Sequence, residues 1–268
     1  MNPEKSIAII LGSAFEGSFA ERLQLKEEKV ETKFGEITLY RSELRKDRPA
    51  YVIFRHGLPH SLLPNQINYR AQAAALMKVN CGALLINSSV GVMDADLPLY
   101  QPMLVTDLMM PENRLPDGST CTMFPKPSEN HGHLLIKDGL FSSALNTWLI
   151  DQHEGEIHQA KKGVIFVYAG GPRGKTPAEN RMWAEFGGQV NSMTLAPEVV
   201  LANELEIPTT ALVVGHKYSV PDVENPKQDE IGATLENARS ATEKILFSFL
   251  MKGEPVDFQN EMYRFKDE

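Results

Sequence analysis

The sequence predicts an α/β fold, and two observations predict it. Short, nearly continuous apolar runs at Ser6–Leu11, 81–86, 163–168 and 209–214 read as strands buried on both faces, with helical segments between them. Each of these strands runs into a segment rich in Gly, Ser, Arg, His or Lys, and in an open α/β sheet ligands sit where such strand ends converge.

The first run, SIAIIL, ends in Gly12-Ser13-Ala14-Phe15-Glu16-Gly17, a small turn whose backbone N–H groups and Ser13 hydroxyl suit an anion. Its spacing matches neither a P-loop nor a dinucleotide fingerprint, and a plain glycine turn fits it as well. Residues 29–54 read as a meander of three strands (KVETKFG, EITLYRSEL, PAYVIF), and the third breaks into Arg55-His56-Gly57 with His60 close behind. Arginine offers a rigid fork of donors that matches phosphate geometry, and a nearby imidazole adds another donor. The plainer alternative is an Arg and two His on a solvated loop, where Arg55 would contribute little to folding.

Residues 69–80 read as an Ala-rich helix with Ala71, Ala74 and Ala75 on its apolar face. The strand at 81–86 is expected to end in a loop, Asn87-Ser88-Ser89-Val90-Gly91, and 104–109 is a further short strand. Segment 111–132, rich in Pro and Gly and without periodicity, reads as a long loop, and 140–152 as a helix. After the strand at 163–168 comes Ala169-Gly170-Gly171-Pro172-Arg173-Gly174-Lys175-Thr176. Helices at 177–186 and 196–205 each carry an early proline, and Glu198 sits in the first turn of the second, where it suits the helix dipole. The last buried strand, 209–214, ends at Gly215-His216-Lys217-Tyr218-Ser219, and residues 230–252 close the chain as a long helix. The strand ends thus gather Ser13, Arg55, Ser89, Lys175, Thr194 and Lys217 as candidates for one site.

At 268 residues the chain has room for one large domain or two small ones. With 42% hydrophobic and 23% charged residues its composition is that of a globular protein. A formal net charge of −8 argues against a nucleic-acid partner, which calls for a basic face. No stretch reaches the length of a membrane span, and two cysteines, Cys81 and Cys121, point to a reducing compartment. A cytoplasmic enzyme or binding protein is the expected class. There is no Gly-x-Ser-x-Gly elbow and no convincing metal-ligand spacing; His131-Gly132-His133 lacks nearby carboxylates and reads as solvated.

Five segments, in order, carry a resemblance to a known family. They are Gly12-Ser13; Phe54-Arg55-His56-Gly57 with His60 and Asn68-Tyr69-Arg70-Ala71; Asn87-Ser88-Ser89-Val90-Gly91; Gly170-Gly171-Pro172-Arg173 with Ala178-Glu179; and Met193-Thr194 with Pro197-Glu198-Val199. Together they resemble the trimeric nucleoside phosphorylases, most nearly the methylthioadenosine and methylthioinosine branch. The resemblance covers most of the chain. It implies a single domain over residues 1–268, built on a mixed twisted sheet flanked by helices, and a homotrimer. It implies phosphorolysis of a purine or 5′-methylthiopurine nucleoside, with inorganic phosphate as co-substrate and no cofactor or metal. Carried residue by residue, it assigns phosphate to Ser13, Arg55, His56, Ser89 and Thr194. Ser88 and Met193 fall to the ribose, Met193 also fitting a plain core position, and His133 to a neighbouring subunit's site.

The departures from the family lie in the base pocket. Gly174 stands where a stacking Phe is usual, and Lys175 follows it. A gapless register puts His216-Lys217 at the positions that contact the purine, and Ser219 where the methylthioadenosine branch has a second Asp. Lysine is a donor only, so Lys217, beside His216 and aided by Lys175, suits a 6-oxopurine over adenine; a solvent-facing Lys217 is the alternative. Two other functions fit the same fold. A hydrolytic nucleosidase would have no need of Arg55-His56, and a non-catalytic nucleoside-binding protein would account for an altered base pocket.

Overall fold

The computed structural model describes residues 4–15, 18–127, 131–221, 223–227 and 232–264. β1 (Ser6–Leu11) lies at its centre, with all six residues buried. Its neighbours are β4 (Ala50–Phe54) and β5 (Cys81–Val92), both parallel to it, and β11 (Thr209–Tyr218) runs parallel along the far edge of β5. β2 (Leu25–Thr32) and β3 (Gly35–Ser42) extend the sheet beyond β4 as an antiparallel meander. Past the end of β1, β5 pairs with the short antiparallel β10 (Val190–Ser192), which continues to β9 (Ile165–Tyr168) and β7 (Asp107–Met109). β6 (Pro102–Leu104) borders β11 and completes a mixed sheet of ten strands. A separate ribbon pairs β8 (Gly132–Leu135) with β12 (Glu261–Arg264).

The sheet is apolar on both faces because helices cover both. Ala8 and Ile10 of β1 share a core with Ala75 and Leu76 of α2 (Tyr69–Lys78) and Val199 and Ala202 of α5 (Ala196–Glu204). The alternate residues Ile7, Ile9 and Leu11 pack on the opposite face. There they meet Phe19 of α1 (Ser18–Arg22), Leu145 and Leu149 of α3 (Ser143–Gln152), and Ile245 and Phe249 of α6 (Gly232–Lys252). Each such side chain contributes about 1.5–3 kcal/mol by burial, and truncating Phe249 to Ala would cost about 3–5 kcal/mol.

Local signals set the helix starts. Asn68 caps α2 by accepting from the Ala71 N–H at 3.1 Å. Thr176 and Glu179 form a capping box, with Pro177 at the first helical position of α4 (Pro177–Glu185). Glu179 also pairs with Arg173 at 2.6 Å, so the Arg173 and Ala178-Glu179 segments clasp each other.

Several sequence expectations change. β5 continues through Asn87-Ser88-Ser89 to Val92, and β11 continues through Gly215-His216-Lys217, so both expected loops are strand. The short strand expected at 104–109 is two strands, β6 and β7, and β2 begins at Leu25. The long loop ends at β8, which puts His133 on a strand. Among the described residues no helix is long and apolar enough to cross a membrane.

Candidate active site

β1, β4, β5 and β11 end along one side of the sheet, and their ends frame a cleft of ≈ 680 Å³. Eleven of the twelve residues singled out by sequence line it: Ser13, Arg55, His56, Ser88, Ser89, Lys175, Met193, Thr194, His216, Lys217 and Ser219. His133 does not; it pairs with Tyr263 across the β8–β12 ribbon, their rings stacked at 5.1 Å.

Arg55 is the largest departure from expectation. It is no solvated loop residue, being only 1% exposed. Its Nε and one terminal nitrogen donate to the two carboxylate oxygens of Glu198 at 2.6 and 2.7 Å, and the other donates to the Asn87 carbonyl at 3.1 Å. Glu198 is therefore a counter-ion from α5 as well as a first-turn acid. A guanidinium has five N–H groups; three are engaged here, and two remain for an anion in the cleft. Gly12 permits the approach: a Cβ there would lie 3.2 Å from the Arg55 terminal nitrogen.

Around Arg55 further polar groups converge. His56 is 9% exposed, and its Nδ1 lies 2.8 Å from the Leu62 carbonyl. A carbonyl can only accept, so Nδ1 carries the proton, and Nε2 is an acceptor in the neutral ring that becomes a donor to an anion only when the imidazole is protonated. Burial holds the imidazole below the ordinary histidine value, against the pull of the Leu62 carbonyl and with help from Arg55 and His60. The His60 ring stacks on His56 at 4.5 Å. Ser89 is exposed on β5, and Ser88, buried beside it, reaches the Ser192 hydroxyl at 3.4 Å. Thr194 sits before α5 in a γ-turn centred on Leu195 (φ 75°, ψ −53°), a strained conformation of the kind that collects at functional sites.

The far end of the cleft is organised around Gly91. Between Gly215 and Lys217 the β5–β11 register shifts, and the bulge lets His216 and Lys217 both reach the surface of the cleft. The Tyr100 hydroxyl donates to the His216 carbonyl at 2.9 Å and holds the bulge. Crowding by the cleft walls, then Lys217, keeps the His216 imidazole below its ordinary value. Lys217 is exposed, and its ammonium has no hydrogen-bond or ion-pair partner among the described residues. Lys175, in contrast, donates to the carbonyls of Gly170 and Arg173 in its own loop, which leaves it less able to serve a ligand. Burial, then Arg173, lowers its pKa.

Sequence reasoning missed two residues here, Asn180 and Asn191, both buried and both lining the cleft. It also misjudged Glu198, although an acid inside the apolar run Pro197-Glu198-Val199-Val200-Leu201 was a signal that a cation would be buried with it. Among the described residues no group of three or more His, Cys, Asp or Glu is placed to hold a metal ion.

Along β5, Arg55 binds at Asn87 and Lys217 pairs with Gly91, four residues further on, so the two cationic positions stand roughly 13 Å apart along the strand. A cleft with an arginine at one end and a lysine at the other, on this fold, belongs to an enzyme of the nucleoside phosphorylase class of pentosyltransferases. Comparison with known proteins gives the family: the Phosphorylase superfamily model matches residues 6–251, and the chain belongs to that superfamily. A probable S-methyl-5'-thioinosine phosphorylase from Methanopyrus kandleri is 30% identical over 87% of this chain and 87% of its own. A 6-oxopurine nucleoside phosphorylase from Pyrococcus furiosus is 29% identical over 78% and 79%. Among solved structures, a mutant adenosine/methylthioadenosine phosphorylase from Schistosoma mansoni, in complex with methylthioadenosine, superposes with a TM-score of 0.76. It is 21% identical and covers 92% of this chain and 91% of its own.

Proposed function

We propose that this enzyme catalyses phosphorolysis of a purine or 5′-methylthiopurine nucleoside, yielding free base and pentose 1-phosphate, with 6-oxopurines preferred. The observation that carries this reading is the pairing, in one cleft, of a rigid Arg55 fork with two N–H groups to spare and a Lys217 ammonium that has no partner among the described residues. Ser13, Arg55, His56, Ser89 and Thr194 hold phosphate, and Ser88 and Met193 meet the ribose. A phosphate oxygen forms a bond to C1′ as the C1′–N9 bond breaks, and its electron pair leaves with the base, which takes up a proton. Lys217, with His216, stabilises negative charge on the departing base and donates to a 6-carbonyl oxygen, so catalysis is positioning and electrostatics. Two of the relatives bear names with a 6-oxopurine or thioinosine substrate, which supports the preference; others are named for methylthioadenosine.

One observation favours a second reading, a non-catalytic nucleoside-binding protein. A Cβ at Gly174 would meet nothing within 4 Å, so the position where the family usually has a stacking Phe opens onto empty space. Base release from inosine-type and adenosine-type nucleosides, with and without phosphate, separates the two. The expected result is phosphate-dependent release that is faster for inosine-type substrates, with Lys217→Ala reducing the ratio about tenfold. Binding without release supports the second reading. Faster adenosine-type turnover, or a ratio untouched by Lys217→Ala, overturns the base preference.

A further inference from the structure

Gly91 has a neighbour on each side in the sheet: Asn191 of β10 across one edge and Lys217 of β11 across the other. Paired residues on adjacent strands share a face. A Cβ on Gly91 would lie 3.1 Å from Asn191 Oδ1 and 2.2 Å from Ser219 Oγ, which places those atoms over the glycine on the cleft side. The missing side chain leaves room for the Ser219 hydroxyl, which stands between an amide and an ammonium whose Cα atoms are roughly 10 Å apart.

The orientation of that amide is determined from outside the cleft. The Ser219 carbonyl can only accept, and Asn180 donates to it through Nδ2 at 2.8 Å. Asn180 therefore turns its Oδ1 toward Asn191, which donates to it through Nδ2 at 3.1 Å. Asn191 is left with Oδ1 over Gly91 beside the Ser219 hydroxyl, on the cleft side, and that atom accepts no hydrogen bond from any described residue. Asn180 is 6% exposed and Asn191 8%, so neither amide can reorient at the cost of water alone. The result is a fixed acceptor on one side of Gly91 and a cationic donor on the other.

We propose that Asn191 is a specificity-determining residue which, with Lys217, clamps the lactam edge of a 6-oxopurine: Asn191 Oδ1 accepts from the base N1–H while Lys217 donates to the 6-carbonyl. Asn180 is the positioning residue that holds Asn191 in the accepting orientation. This rests on the 6-oxopurine reading above and goes beyond it, because Lys217 alone tests only the carbonyl, whereas Asn191 tests the adjacent N–H. A 6-aminopurine has no proton on N1 and offers its lone pair there, so an acceptor at Asn191 repels it.

The test is chemical on the ligand and genetic on the protein. In the wild type, replacing inosine by 1-methylinosine removes the N1–H, and kcat/KM is expected to fall about tenfold. Asn191→Leu, close in volume, should lower kcat/KM for inosine by a similar factor, leave 1-methylinosine nearly unchanged and leave the phosphate KM unaltered. Asn191→Asp, which keeps an oxygen over Gly91, should retain the discrimination. Calorimetric binding of hypoxanthine against 1-methylhypoxanthine, in wild type and Asn191→Leu, reads the clamp without turnover, so an enzyme that released no base would overturn phosphorolysis and not this assignment. An Asn191→Leu variant that loses both substrates or both bases equally, or that keeps full discrimination, overturns the clamp.

Discussion

Arg55 and Glu198, 143 residues apart in the chain, meet through two parallel hydrogen bonds of 2.6 and 2.7 Å, with each side chain 1% exposed. A buried pair of this kind is costly to desolvate and more costly to break, because removing one partner strands the other's charge. The arginine proposed to hold phosphate is therefore also part of what holds the end of β4 to α5.

Arg55→Ala should thus remove phosphate use and also destabilise the fold by about 3–5 kcal/mol, contrary to what a loop arginine would do. The double change Arg55→Met with Glu198→Leu removes both charges and should recover most of that stability while remaining inactive. Urea unfolding of the three proteins checks this; an Arg55→Ala variant as stable as the wild type would contradict the buried pair.

His56 supplies a pH dependence. Its folded-state pKa is depressed below the ordinary value of about 6.5, so above that pH both folded and unfolded chains hold it neutral and its contribution is fully present. As pH falls through the unfolded value toward the folded one, the unfolded chain takes up the proton first and stability is lost. His216 shifts in the same direction, so the informative quantity is a difference. Tm in phosphate-free buffer should fall less steeply below about pH 6.5 in His56→Gln than in the wild type. Saturating phosphate should flatten the wild-type curve, because an anion favours the imidazolium. Equal slopes in the two proteins would refute a neutral, buried His56.

The close approach of Ser219 to Gly91 is testable by crowding it. Gly91→Ala sets a Cβ 2.2 Å from the Ser219 hydroxyl oxygen, so that side chain must move into the base end of the cleft. kcat/KM for nucleoside should drop about tenfold or more with the phosphate KM unchanged, and Ser219→Gly in the same chain should restore part of it. An unaffected Gly91→Ala enzyme would mean that the base does not lie over this glycine.

Much of this was legible in the sequence. β1, β4, α2, α4 and α5 follow from local signals: unbroken apolar runs, an Ala-rich helical face and early prolines. The extensions of β5 and β11 were not, because Asn87-Ser88-Ser89 and Gly215-His216-Lys217 have the composition of loops and are held as strand by each other. β10, three residues long, exists only through pairing with β5 and β9. The Asn180–Asn191 relay was hidden for the same reason: its polarity comes from the Ser219 carbonyl, 39 residues from Asn180, and no local pattern encodes it.

The β8–β12 ribbon carries a prediction about assembly. His133 stacks on Tyr263, and Leu135, Ile136 and Tyr263 leave an exposed apolar edge beside it. We expect that edge to lie between subunits of a closed homotrimer, with His133 serving a neighbour's cleft. Light scattering should give three times the chain mass, and His133→Ala should lower kcat/KM for nucleoside without changing the cleft of its own chain. A monomer at assay concentration would remove His133 from the site.

The most direct test of the central claim is the fate of phosphate. Phosphorus NMR of the wild-type enzyme with inosine-type nucleoside and inorganic phosphate should show the phosphate signal converting to a sugar phosphate ester in one-to-one proportion with the base released. Base release without consumption of phosphate, leaving free pentose, would contradict the account and make the enzyme a hydrolase.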